Sequence, residues 1–180
     1  QQDLVELLPE VENFTLQQYM PALAKGGFIS ADEKQRVAQQ VAQYSGLSVA
    51  DVLANNLDIN TSFFWKALLR DRQQTIGRLD SRYLGIDAKV AGDSPDYNAE
   101  LTSWNHAFTP AINYYLREHL NFKTDIKYYM FGDVHPWDKR DDKTRDGLRQ
   151  AMAQNPFLKV LIQSGYYDGA TTYFGAKYTM

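Results

Sequence analysis

One acidic residue in this chain stands where chemistry could use it. In "KVLIQSGYYDGATTYFG", residues 159–175, an apolar run leads to Asp168, which lies between Gly165 and Gly169. A carboxylate at the end of a buried strand, held in a tight turn by glycines, suits one catalytic task. It can hold a histidine in a single tautomer and stabilise the imidazolium formed during catalysis. The same pattern also describes an ordinary strand-end turn in which an aspartate bonds its own backbone. The residue types alone leave both readings open.

Partners for Asp168 are not evident in the sequence. Serine catalysis needs a base within hydrogen-bond reach, yet no G-x-S-x-G elbow occurs, and Ser164 in "QSG" lacks the preceding glycine. His106, His119 and His135 are widely spaced, and none falls in a His-Glu-x-x-His pattern, so no metal site is expected. "GDVHPWD" places Asp133, His135 and Asp138 close together, a weak carboxylate–histidine constellation. Neither "AKGG" nor "SGYYDG" has the glycine spacing of a phosphate-binding loop, and no cofactor is expected. Acidic pairs such as Asp141-Asp142, or Asp93 with Asp96, read as solvated surface.

Composition narrows the partners. The chain has 180 residues, 44% hydrophobic and 23% charged, with a net charge of -3. That balance is globular and lacks the basic excess that a phosphate backbone demands, so nucleic acid is not expected as a partner. The longest apolar runs, Val160-Leu161-Ile162 and Phe63-Phe64-Trp65, fall far short of a membrane span, and no membrane association is expected. The opening "QQDLVELLPE" has no initiating Met and no basic-then-apolar leader, which suggests a processed or truncated product. The absence of cysteine excludes disulfides and thiol nucleophiles. The 12 Tyr, 9 Phe and 3 Trp gather after Tyr83, where the bland expectation is that they fill a core.

The elements that would position Asp168 follow from punctuation. "SADEKQRVAQQVAQYSG" predicts a helix capped by Ser30 and Glu33, with Val37, Val41 and Tyr44 on one face and a stop at Gly46. "SVADVLANN" repeats the device with Ser48 and Asp51. "NTSFFWKALLRDR" predicts a helix with Phe64, Leu68 and Leu69 in helical spacing, and "NFTLQQYMPALAKGG" another that closes at Gly26-Gly27. "SRYLGIDAKVAGDSPDYNAE" breaks this rhythm as a loop that is functional, mobile or both, and it is the best internal boundary. "YNAELTSWNHAFTPAINYYLREHLN" predicts helix that restarts at Thr109-Pro110. An aromatic loop, "TDIKYYMFGDVHPWDKRDD", follows. From Lys143 the texture becomes helix, strand and helix: "KTRDGLRQAMAQNP" with Leu148 and Met152 inward, a strand over 158–163, then "GATTYFGAKYTM". Such alternation belongs to α/β sheets, which present ligand-contacting residues at strand carboxyl ends. A lone strand needs a sheet from elsewhere.

These residues match a known pattern. "NPFLKVLIQSGYYDGATTYFGAKYTM" resembles the late segment of serine carboxypeptidases, particularly bacterial ones, where an N-P-x-L-K-V strand leads to a G-x-x-D turn holding the triad acid. Asp168 falls on that acid. "DLVELLPEVENFTLQQY", "IGRLDSRYLG" and "LREHLNFKTDIKYY" look like the helical cap that the family inserts before its acid strand. The resemblance implies a mainly α chain in two parts, a helical cap over 1–142 and a helix-strand-helix piece of an α/β-hydrolase core over 143–180. It implies a peptide substrate, with Arg82, Tyr83, Tyr129, Trp137 and Tyr167 as candidates for the pocket lining. The family's nucleophile would lie before the cap and its histidine beyond Met180. The implied fragment is therefore inactive alone, and its parent periplasmic or secreted. Other capped hydrolases (an esterase or an iminopeptidase) and a non-catalytic peptide- or protein-binding module are the alternatives. The unpaired strand leads to an expectation of homo-oligomers or swapped contacts.

Overall fold

The computed structural model describes residues 3–133, 135–138, 140 and 142–180. It is mainly helical, as the sequence predicts, and its only strands among the described residues form one short hairpin. The chain divides into two compact units, residues 1–99 and 100–180. The division falls at the end of the 81–100 segment that the sequence marks as the best internal boundary, and the 142/143 junction of the implied cap and core lies inside the second unit. No helix among the described residues is long and apolar enough to cross a membrane.

Capping sets the helices of the first unit. Asp3 Oδ1 accepts from the Val5 N–H and opens α1, Leu4–Phe14, well before the predicted start at Asn13. A π-helical turn, Thr15–Tyr19, continues into α2, Met20–Lys25, which ends at Gly26. Ser30 caps α3, Ala31–Ser45, by accepting from the Glu33 N–H at 3.2 Å. Gly46 ends α3 at φ 81°, donating its N–H to the Ala42 carbonyl. A Cβ there would meet Leu68 Cδ1 at 3.1 Å, so position 46 needs glycine for backbone and for space. Ser48 caps α4, Val49–Ala54, accepting from the Asp51 N–H and donating to the Asp51 carboxylate. Asn60 caps α5, Thr61–Ala67, through the Phe63 N–H at 2.8 Å.

These helices enclose a core of Phe14, Ala22, Val37, Ala38, Val41, Leu47, Val52, Leu57, Phe63 and Ala67. Leu57 is buried at φ 69°, in the left-handed region that disfavours a side chain, and its carbonyl accepts from the Tyr19 hydroxyl at 2.6 Å. Burial and that hydrogen bond hold the strained backbone in place. Burial also pushes the Tyr19 phenol above its ordinary value, and Asp58 adds to the shift while the Ile59 backbone opposes it. The spacing of Phe64, Leu68 and Leu69 does not mark the most buried face of α5. Phe63, Trp65, Lys66 and Ala67 are buried, whereas Phe64, Leu68 and Leu69 are half-buried. A seven-residue helix holds too little of the 3.6-residue period to reveal its face.

The loop expected to be functional, mobile or both is pinned by a strand pair and by side-chain bonds. β1, Thr75–Ile76, pairs antiparallel with β2, Leu84–Gly85, matching Thr75 to Gly85. Gly85 allows this approach, since a Cβ there would meet Ala99 Cβ at 3.0 Å and the Tyr97 hydroxyl at 3.1 Å. Beyond the hairpin, Lys66 Nζ on α5 forms a buried ion pair with Asp87 and donates to the Lys89 carbonyl. Asp87 Oδ1 accepts from the Asp96 N–H, Asp96 Oδ2 from the Ala88 N–H, and Arg70 reaches the Gly92 carbonyl.

The described residues of the second unit form three helices: α6, Leu101–Tyr114, running into a π-helical turn, Tyr115–His119; α7, Thr144–Gln154; and α8, Tyr173–Thr179. The helix does not restart at Thr109-Pro110; Pro110 lies inside α6. The residues of α6 are exposed or half-buried, so water can take the carbonyl that a proline leaves without a donor. Residues 158–163 belong to no strand ladder among the described residues, and Leu161 is 82% exposed. Their strand pattern is present without the second strand that would bond it. No hydrophobic side chain described in 100–180 is buried, so the aromatic residues there do not fill a core as expected. Leu148 is half-buried and Met152 is 45% exposed, although both were predicted to face inward.

Candidate functional site

The Asp168 turn is assembled from short-range hydrogen bonds. α7 ends at Asn155, whose carbonyl accepts from the Leu158 N–H and whose side chain accepts from the Phe157 N–H. Pro156 disfavours helix at the residue before it, and the chain leaves irregular and exposed toward Ser164. The Asp168 N–H then donates to the Gly165 carbonyl at 3.4 Å. Asp168 Oδ1 accepts from the N–H groups of Ala170 and Thr171 at 2.8 and 3.0 Å, and Oδ2 accepts from the Thr171 hydroxyl. Ser164 Oγ donates to the Thr171 carbonyl, closing the turn onto the segment that enters it. Thr172 stands at the start of α8, and the Tyr166 ring meets Tyr173 edge-on at 5.2 Å.

This arrangement fixes one carboxylate rotamer at a half-buried position. These three donors engage both oxygens of the carboxylate. The three histidines are placed elsewhere in local structure. His106 lies on α6, and His119 stacks on Tyr115 with ring centroids 5.6 Å apart and meets Tyr114 edge-on. His135 is exposed. Among the described residues no group of three or more His, Asp or Glu gathers as a metal ion would require. Asp138 is engaged by the Arg140 guanidinium, which holds its carboxyl below the usual value.

The pocket candidates fall in separate pieces of structure. Arg82 and Tyr83 lie in the hairpin loop of the first unit. There the Arg82 guanidinium forks onto Asp80 at 2.7 and 2.9 Å, and the Tyr83 carbonyl accepts from the Gly77 N–H. Hydrogen bonding from Arg82 holds the Asp80 carboxyl below its ordinary value. In the second unit Tyr129 is exposed beneath the Lys127 ammonium, 5.1 Å from its ring centroid, Trp137 is exposed, and Tyr167 sits beside Asp168.

The sequence reading missed an apolar groove of about 450 Å³ lined by Phe108, Thr109, Ala111, Ile112, Tyr115, Tyr128 and Met130. Its helical wall is a stripe at 108, 111/112 and 115, the spacing of one helix face. A helix restarting at 109–110 splits that stripe, whereas the continuous α6 and the π-helical turn that follows it carry Phe108, Ile112 and Tyr115 along one wall. The opposite wall is set by alternation. Tyr128 and Met130 line the groove while Tyr129, the ring singled out from sequence, does not. No protein-family model, curated protein or solved structure matches this chain.

Proposed function

We propose that the chain is the cap and acid-bearing portion of a serine carboxypeptidase-like hydrolase, in which Asp168 orients the catalytic histidine. The parent reaction is acyl transfer from the C-terminal peptide bond to water. A serine outside these 180 residues attacks the carbonyl, and a histidine also outside them accepts the serine proton and returns it to the leaving amine. Asp168 holds that histidine's other N–H and balances its charge. The observation that carries this reading is the Asp168 carboxylate, locked in one rotamer by Ala170 and Thr171 after an exposed apolar segment. The exposed apolar surface of 158–162 supports it, because an acid strand of this kind needs a sheet to cover it.

On this reading the 180-residue chain hydrolyses neither blocked dipeptides nor esters. A longer polypeptide that supplies the serine and histidine does, and Asp168→Asn lowers its kcat by on the order of 10³–10⁴-fold with little change in KM. Hydrolysis by the 180-residue chain itself would sink the proposal.

A second reading rests on the apolar groove. A non-catalytic module would use Phe108, Ile112, Tyr115 and Tyr128 to hold an apolar peptide side chain. It predicts peptide binding that Ile112→Asp abolishes and Asp168→Asn leaves unchanged.

A further inference from the structure

A second groove, wholly within the first unit, is walled by aromatic rings. Phe14 of α1, Tyr19 of the π-helical turn, Tyr44 of α3 and Phe64 of α5 line a space of about 310 Å³, with Val11 and Ile59 among its apolar neighbours. The Phe14 ring stacks on Tyr19 at 6.2 Å and meets Tyr44 at 5.2 Å, tilted by 51°. Phe14 is buried and the other three rings are half-buried, so aromatic surface stays open to the groove. The polar groups around these rings favour one sign of charge. The Tyr19 hydroxyl gives its proton to the Leu57 carbonyl, and the Thr15 hydroxyl gives its own to the Val11 carbonyl, so neither is offered to an anion. The Tyr44 hydroxyl donates to the Glu10 carboxylate at 2.6 Å, a bond that holds the phenol above its ordinary value and sets a negative charge beside the ring. No Lys, Arg or His is among the described residues that line the groove. Along the chain, Asp3, Glu6, Glu10 and Glu12 all precede the first basic residue, Lys25.

We propose that this groove binds a quaternary ammonium group, held among the four rings and balanced by Glu10. A cation close to an aromatic face is attracted by the ring quadrupole. Rings alone would suit any apolar group, but the acids of α1 add a preference for positive charge. A primary ammonium is strongly hydrated and needs acceptors for three N–H groups, which an apolar wall does not supply. A methylated nitrogen has no N–H to satisfy, and its methyl groups pack on the rings as apolar surface. The space is at the small end of ligand pockets, which run from about 300 to 1,000 Å³, and it suits a compact head group. The groove lies in the other unit from Asp168, and its chemistry does not depend on the hydrolase reading.

Two ligands of one shape test the charge on the 180-residue chain: choline, and the neutral dimethylbutanol in which a carbon replaces the nitrogen. In an NMR titration, choline is expected to shift the ring resonances of Tyr19, Tyr44 and Phe64 and to bind roughly 10-fold more tightly than the alcohol. Glu10→Gln keeps an acceptor for the Tyr44 hydroxyl and removes the charge. Glu10 is exposed, so the fold should tolerate the change. The variant should bind choline roughly 2–5-fold more weakly and the alcohol as before. Equal affinity for the two ligands, ring resonances that choline leaves unmoved, or choline binding indifferent to Glu10→Gln would each overturn the proposal. A short peptide carrying trimethyl-lysine separates the two sources of such a group. Tighter binding of the peptide than of choline points to a modified protein chain, and the reverse points to a free ligand; either supports the site, whereas failure of both removes it.

Discussion

Residues 1–99 and residues 100–180 have similar helical texture but solve the burial problem differently. The first unit encloses ten hydrophobic side chains in one cluster, caps its helices with Asp3, Ser30, Ser48 and Asn60, and pairs its one buried lysine with Asp87. The second has comparable apolar residues and buries none of those described: Phe157 is 89% exposed, Leu161 82% and Ile126 78%. Hydrophobic contact is the main force that offsets chain entropy. The two halves should therefore differ in stability even where their helices look alike. Apolar surface of this extent is usually covered by something, and the proposed hydrolase core is one such cover.

Amide hydrogen exchange should show the largest contrast. Amides within α3 are expected to exchange at least about 10³-fold more slowly than unprotected ones, as suits a unit of about 5 kcal/mol or more. Amides of α6 and α7 should approach unprotected rates. Equal protection in both units would break the comparison. Protection confined to 158–163 that grows with protein concentration would instead reveal pairing between copies.

Truncation of buried groups should come next. Lys66→Ala leaves Asp87 as an uncompensated buried charge and should cost about 3–5 kcal/mol in urea denaturation. Leu57→Ala should cost about 2–5 kcal/mol. The same leucine-to-alanine change at Leu161, on the exposed segment, should stay within about 0.5 kcal/mol. A large loss at Leu161 would mean that the second unit has a core the comparison denies it.

The legible parts of this molecule were those fixed by neighbouring residues. Ser30, Gly46 and Ser48 marked helix ends because caps act over three or four residues. The Asp168 turn was visible for the same reason, since its hydrogen-bond partners Ala170 and Thr171 follow within three positions. What depended on distant contacts was not legible. Lys66 is buried because Asp87 lies 21 residues away, and nothing in "SFFWKALL" announces it. Pro110 suggested a break that solvent made unnecessary, and that misreading hid the groove stripe. Residues 158–163 carried a strand's composition, yet a ladder needs a second strand that local sequence cannot supply.

The finest test uses a motif that occurs in both units, an aspartate followed two residues later by an arginine that forks back onto it. Asp80 and Arg82 do this at 2.7 Å with the carboxylate 12% exposed; Asp138 and Arg140 do it at 2.7 Å with the carboxylate 60% exposed. In both, hydrogen bonding from the arginine pulls the carboxyl below its ordinary value of 3.8. A carboxyl depressed in the folded state adds stability that is fully present above 3.8 and is lost as pH falls through the lower folded value. Arg82→Gln should therefore remove up to about 1 kcal/mol at neutral pH, and the deficit should vanish in strong acid. Arg140→Gln should leave the acid unfolding curve unmoved, because its exposed pair is screened by water and its unit has little packing to lose. The two curves together decide whether the same two residues gain their stabilising effect from the motif or from the core beneath it.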